Sequence, residues 1–229
     1  MRLRVRFVLI VLCCVFAHQY AADAKAQYLH PKLKEKKVTI RSAAILPAKV
    51  EIVKEGAKGS EMMVAESVDI STKTVEAVNQ ALQKKKINVV ANSFEPASLD
   101  DARKYTLADI QSRYDALLPK LTKKSKDIKK ARFTLGDEVM LLNVHKDADV
   151  LVFIRGAGRV FTKGKTAFSI LSFNLDFPTA QITIGIVDAQ SGEVLAFTKP
   201  TSASKALKDQ KSLNKMIEKA LQKVPAYTP

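Results

Sequence analysis

The chain has 229 residues, 38 Lys and Arg against 23 Asp and Glu, 47% apolar residues, two cysteines and no tryptophan. That length and apolar content suit one ordinary domain with a sizeable core, which excludes wholesale disorder, collagen-like repeats and a disulfide-stapled miniprotein. The formal charge of +15 suits nucleic acid, anionic lipid and acidic polymers alike, and selects among them only once the compartment is known.

The N-terminus supplies the compartment. Arg2, Arg4 and Arg6 precede an apolar run over residues 7–17, and Ala21, Ala22, Ala24 and Ala26 follow it. Charge, hydrophobe and small-residue site in that order form a secretory signal pattern, with cleavage after Ala24 or Ala26. The run is far shorter than the roughly 20 apolar residues that span a bilayer, and no second one follows. Cys13 and Cys14 both lie inside it, so cleavage leaves a chain without thiols. Leu12 precedes Cys13 where a lipidated cysteine would need a small residue, which argues against a lipid anchor. Loss of residues 1–26 removes four basic groups and one acidic group and leaves +12. Outside the cytoplasm such a charge meets anionic lipid, lipopolysaccharide, peptidoglycan or acidic proteins rather than nucleic acid.

Residues 27–37 are polar and basic around Pro31 and read as an exposed leader. Residues 38–46 (VTIRSAAIL), closed by Pro47, predict a first strand, and residues 49–62 a charged loop with a short strand at 50–53. From Ser71 the period becomes helical, with Val75, Val78 and Leu82 on one stripe and Ser71 and Thr74 in the cap region. The helix runs out in Lys84, Lys85 and Lys86, and residues 87–91 are again β-prone. Ser98 with an acid three residues on suggests a capping box opening the next helix. There Leu107, Ile110, Tyr114, Leu117 and Leu121 advance by 3, 4, 3 and 4, with Pro119 as a kink or stop. A further helix is expected over 135–145, capped by Thr134.

Residues 150–154 (VLVFI) form an unbroken apolar run, the pattern of a central strand covered on both faces. A polar turn at Lys163, Gly164 and Lys165 comes next. Ile182, Ile184 and Ile186 alternate with smaller or polar neighbours, and residues 188–192 (DAQSG) turn the chain into a strand over 194–198, giving an antiparallel hairpin. Leu207, Leu213, Met216, Ile217, Ala220 and Leu221 mark a Lys-rich amphipathic C-terminal helix. The fold class is therefore α/β: a single layered domain over 38–225 with a mixed sheet, helices packed on it, a C-terminal hairpin followed by a helix, and a tail at 226–229.

Catalytic patterns are scarce. Five residues separate Gly158 from Gly164-Lys165-Thr166, one too many for a phosphate-binding loop. Of the histidines only His30 and His145 survive cleavage, with Asp147 and Asp149 near the latter, and no nucleophile elbow is present. Asp100 and Asp101 read as helix-start residues rather than an acid–base pair. No enzyme, metal or cofactor is called for.

Two features point to binding instead. Lys120, Lys123, Lys124, Lys126, Lys129, Lys130 and Arg132 form a basic cluster opposed locally only by Asp127, suited to an anionic surface or partner. Phe168, Ile170, Phe173, Leu175 and Phe177 follow an apolar–polar pattern with one phase slip at Leu171, which reads as a bulged strand or an exposed docking edge.

The Ala43-Ala44-Ile45-Leu46-Pro47 strand end, the Asp147-Ala148-Asp149-Val150 approach to the central strand and the hairpin over 186–194 (IVDAQSGEV) occur in this order. In that order the chain resembles the curli-secretion lipoprotein and penicillin-binding-protein activator group of envelope proteins. It departs from that group in lacking a lipobox cysteine, in Ala48 where an aromatic often follows the proline, and in Asp147 where glycine is usual. The resemblance implies a periplasmic α/β scaffold that binds other proteins or assembles without catalysis. The expectation is a secreted, periplasmic, non-enzymatic binding or adaptor protein of the bacterial cell envelope. Its partner would be an envelope protein or anionic envelope component, with homo-oligomers allowed and nucleic acid excluded. An oligomeric secretion or pore-complex component ranks second, and a hydrolase whose site is invisible in sequence third.

Overall fold

A computed structural model of the chain describes residues 26–56, 59–90, 94, 99–122, 132–161, 179–198, 201–203 and 209–227. Residues 1–25 of the expected signal segment, the expected turn at 163–165 and the Phe168, Ile170, Phe173, Leu175 and Phe177 stretch lie outside them.

Nine strands build one mixed sheet: β1 (Ala26–Leu29), β2 (Ser42–Ile45), β3 (Lys49–Gly56), β4 (Gly59–Met62), β5 (Asn88–Val89), β6 (Val150–Phe161), β7 (Thr179–Asp188), β8 (Val194–Thr198) and β9 (Thr201–Ala203). The main path is β1-β8-β7-β6-β2-β5, with β3 also on β6, β4 on β3 and β9 on β7. Val150, Leu151, Val152, Phe153 and Ile154 are each no more than 1% exposed, so the apolar run of β6 is central as expected. Side-chain alternation sends Val150, Val152 and Ile154 to one face and Leu151 and Phe153 to the other. The first face is covered by α2 (Val64–Lys84) and α4 (Gln210–Leu221), the second by α3 (Asp101–Leu121) and a 3-10 helix (Asp137–Leu142). A mixed sheet with helices packed against it in a single domain is the architecture the sequence predicted.

One edge of β6 carries β2 and then β3, both parallel to it. The expected strand over 38–46 is shorter than predicted, because residues 38–41 precede the ladder and only Ser42–Ile45 pair; Pro47, which has no amide to donate, lies at the break before pairing resumes at Lys49. The segment 49–62 is a β3–β4 hairpin rather than a loop. Polar side chains fasten these joints. The Asp149 carboxylate accepts from the amides of Arg41 and Ser42 at 2.7 and 3.0 Å, and the Ser42 hydroxyl accepts from the Asp149 amide at 3.0 Å. At the β7–β8 turn Asp188 Oδ1 accepts from the amides of Gln190 and Ser191. Gly192 there has φ +68°, and a Cβ on it would strike the carbonyl of Gly136.

Three helix predictions change. α2 begins at Val64, seven residues before Ser71, because its first turns face outward: Val64 is 68% and Val68 63% exposed, so no buried stripe marks them. Ser67 and Ser71 instead accept from the amides of Ile52 and Val50 and dock α2 on β3. α3 is capped by Asp100, whose side chain accepts from the Arg103 amide at 2.7 Å, and Pro119 falls in its last turn without ending it early. Ser98 lies outside the described residues. The helix expected over 135–145 is only the six-residue 3-10 helix, bounded by Gly136 at φ 89° and Asn143 at φ 57°, and Thr134 bridges Glu193 instead of capping it.

The largest correction concerns residues 27–37, which are not an exposed leader. β1 pairs antiparallel with β8, and α1 (Pro31–Lys34) follows it. Tyr28, His30 and Leu33 are 2%, 3% and 1% exposed, while Lys34, Lys36 and Lys37 point out. Composition hid this arrangement because the buried residues are spaced singly among charges. His30 caps α1, its Nδ1 accepting from the Lys32 amide at 3.1 Å. Burial pushes its imidazole below the ordinary value, against an opposing pull from Glu193.

A depressed histidine favours the fold while neutral. The N-terminal segment is therefore fully held above about pH 6.5, and its hold is lost as pH falls through and below that value. Urea unfolding across this range should show His30→Asn, which keeps a capping oxygen, losing less stability on acidification than the wild type.

Candidate functional site

On the α3 side of the sheet, the row Leu151, Phe153, Arg155, Ala157 runs out from under the helix. Where cover ends, a cleft of about 410 Å³ opens, walled by Lys49 and Glu51 of β3, Arg155, Gly156 and Ala157 of β6, Gln181 and Thr183 of β7, and Asp115, Leu118 and Thr122 of α3. Arg155 is its deepest charge, with a side chain 6% exposed. Its Nε donates to Asp115 Oδ1 at 2.6 Å and its Nη1 to the Ile154 carbonyl at 3.0 Å. The guanidinium carbon stands 5.8 Å from the centre of the Tyr114 ring, which stacks on Phe153 at 4.2 Å and 18°. Thr183 donates its hydroxyl to the Arg155 carbonyl at 3.1 Å.

This packing needs a bare rung opposite Tyr114. Gly185 supplies it, since a Cβ there would overlap the Tyr114 hydroxyl. Desolvation drives that phenol well above its ordinary range, so it stays a neutral group of the core. Across the cleft Lys49 and Glu51 pair at 3.5 Å. Two cations and two carboxylates thus balance, leaving a neutral cleft with fixed polar groups along one wall. That arrangement suits recognition through hydrogen bonds and shape rather than capture of free anions.

Of the sequence-predicted basic cluster, Lys120 and Arg132 are described, and both are exposed. Lys120 sits in the last turn of α3, two residues before the cleft-lining Thr122. Arg132 lies at the other end of the sheet, where the adjacent Phe133 carbonyl accepts from the Val194 amide at 2.8 Å. The two ends of the sheet, marked by the Ala157↔Gln181 and Val150↔Asp188 rungs, are roughly 23 Å apart along β6. Lys120 and Arg132 therefore do not form one compact patch. Lys123, Lys124, Lys126, Lys129 and Lys130 lie outside the described residues.

Among the described residues no group of three His, Cys, Asp or Glu side chains could hold a metal ion. The pairing of His145 with Asp147 and Asp149 considered from sequence does not form a site. Asp149 is committed to the Arg41 and Ser42 amides, and His145 Nδ1 is buried without a partner among the described residues. Asp115 and Arg155 were missed in sequence. Their available signal was an arginine continuing the period-2 register of a buried strand, and an aspartate beside the core residue Tyr114.

No protein-family model and no curated protein matches the chain. Among solved structures it is similar to the PelC dodecamer from Paraburkholderia phytofirmans, at 11% identity over 82% of this chain and 89% of that one, with a TM-score of 0.39. It is also similar to lipoprotein GNA1162 from Neisseria meningitidis, at 12% identity over 80% and 94% of the two chains, TM-score 0.33. The third is the LpoB C-terminal domain from Salmonella enterica, at 12% identity over 74% and 92%, TM-score 0.29.

Removing the two partners of the ion pair should cost unequally. Asp115→Asn leaves a buried guanidinium without its counter-charge and should lower unfolding free energy by about 3 kcal/mol. Arg155→Met leaves a carboxylate that is 38% exposed and rehydrates, and should cost under about 1.5 kcal/mol. Gly185→Ala should cost about 2 kcal/mol through overpacking against Tyr114. Urea titrations of the three variants measure all of these.

Proposed function

We propose that the protein is an exported, periplasmic, non-enzymatic binding or adaptor protein of the bacterial cell envelope, and that it engages its partner at the Arg155–Asp115 cleft together with the basic segment that leaves it. One observation carries this reading. α3 walls the cleft through Asp115 and Leu118 and, just past its end, Thr122; Lys120 lies in that last turn and the chain runs on from Thr122 into the rest of the lysine cluster. The strands that wall it, β6 and β7, lead into the segment holding Phe168, Ile170, Phe173, Leu175 and Phe177: Ala157 is four residues from the end of β6, and Gln181 two from the start of β7. Each candidate binding segment is therefore continuous in sequence with an element that walls one neutral, polar-walled cleft. The signal-like leader supports export. Because the β1 ladder opens with the Ala26↔Thr198 pair, a cut after Ala24 rather than Ala26 would keep that strand whole.

A second reading, an oligomeric component, draws on one feature. Met62, Val64 and Val68 are 47%, 68% and 63% exposed beside β4, a strand paired only with β3 among the described residues. An exposed edge flanked by large apolar side chains is suited to a second copy. Val68→Asp should then convert an oligomer to monomer in light scattering.

For the leading reading, the processed chain should fractionate with the periplasm, and cross-linking in envelope extracts should recover a partner. That capture should fall at least about ten-fold when Ala157→Trp fills the cleft or when Lys123, Lys124 and Lys126 become Gln. Unprocessed chain in the cytosol, or capture equal to that of a charge-matched control at both low and high salt, would overturn it.

A further inference from the structure

We infer that α4 carries a second interaction surface, a lysine ridge that holds the folded protein against an anionic phospholipid surface. This inference does not depend on the cleft. Lys211, Lys215, Lys219 and Lys223 recur every four residues along α4 and its C-terminal turn, and all four are exposed. At 1.5 Å per residue they extend over about 18 Å, and the drift of about 40° per step keeps them on the outward half of the helix. The inward half is fully used, since Leu213, Met216, Ile217, Ala220 and Leu221 are all buried in the core against α2.

What distinguishes this ridge is its lack of counter-charge. Several cations on the other helices are neutralised locally: Lys73 pairs with Asp69, Lys104 with Asp101, and Arg113 with both Asp109 and Glu138. The only acid within α4, Glu218, pairs instead with Lys84 of α2. Asp209, at its N-cap, accepts from the amides of Lys211 and Ser212 and from the Ser212 hydroxyl, and its charge also acts on Lys211 at the start of the ridge. Among the described residues Lys215, Lys219 and Lys223 have no carboxylate partner, although like charges at this spacing repel. Lys86, exposed at the end of α2, stands just past the turn from which Lys85 reaches the Val224 carbonyl at 2.8 Å, and extends the positive field beyond Lys223.

The chemistry of the ridge selects its partner. Ammonium groups act as compact point charges that match phosphate without the bidentate geometry of arginine. The cleft described above has no residue of α4 in its wall, so it does not open on this face. The face's apolar residues are spent on the core, so it cannot insert into the acyl layer. A flat, repeated, purely electrostatic contact with phosphate headgroups is what remains.

The test is co-sedimentation of the full mature chain with phosphatidylcholine vesicles, with and without phosphatidylglycerol, at low and high salt. Binding should require phosphatidylglycerol and be lost at high salt. The Lys215→Gln, Lys219→Gln double variant should bind about thirty-fold more weakly, at about five-fold per surface lysine, with an unchanged thermal melt. The Lys123, Lys124 and Lys126 variant should retain at least the α4-dependent share, which separates this surface from the cleft reading. Equal binding to neutral vesicles, or wild-type binding by the double variant, would overturn the inference. So would loss of binding to a soluble anionic glycan without loss on vesicles.

Discussion

A strand buried on both faces imposes the rest of the architecture. β6 presents Val150, Val152 and Ile154 to one side and Leu151 and Phe153 to the other, all essentially without solvent. Water can be kept from both sides only by a layer of helices on each, and both edges need pairing partners for the strand's amides and carbonyls. The parallel β2 and β3 fill one edge and the antiparallel β7 fills the other. α2 with α4, and α3 with the 3-10 helix, then become the two covers. The cleft arises where this demand relaxes. Beyond Ile154 the strand continues but the cover of α3 thins, and the next inward residue is Arg155.

Arg155 can stand at that boundary because its surroundings are fixed before any ligand arrives. Asp115 and the Ile154 carbonyl take two of its donors, and the face of Tyr114 lies nearby. The cost of removing a guanidinium from water is offset by those partners, and its orientation is thereby set. The charge acts as an internal brace between α3 and β6, and the cleft gains rigidity rather than a free positive charge from it.

Much of the frame was legible because its signals are local. The continuous apolar run of β6, the 3-4 stripe of α3, and the Asp-x-x-Ser-Gly turn before β8 each declare themselves within a few residues. Asp188 and Gly192 carry the physical reason for that turn: one satisfies two amides, and the other adopts a positive φ against Gly136. What escaped reading depends on distant neighbours. The first turns of α2 show no buried stripe because Val64 and Val68 face solvent. Tyr28, His30 and Leu33 look like isolated residues among lysines until β8 and the core are in place. The pairing of Asp115 with Arg155 joins residues forty positions apart, and no spacing rule anticipates it.

The placement of β1 bears on how the chain reaches this state. Its pairing of Ala26 with Thr198 joins the first described strand to one near the opposite end of the polypeptide. Loop-closure entropy makes such a long-range contact slow to form, and its partner does not exist until most of the chain has been synthesised. The first of the described strands to be made is thus among the last to be seated, and until then Tyr28 and the edge of β8 are uncovered, a state in which another molecule could supply the missing strand.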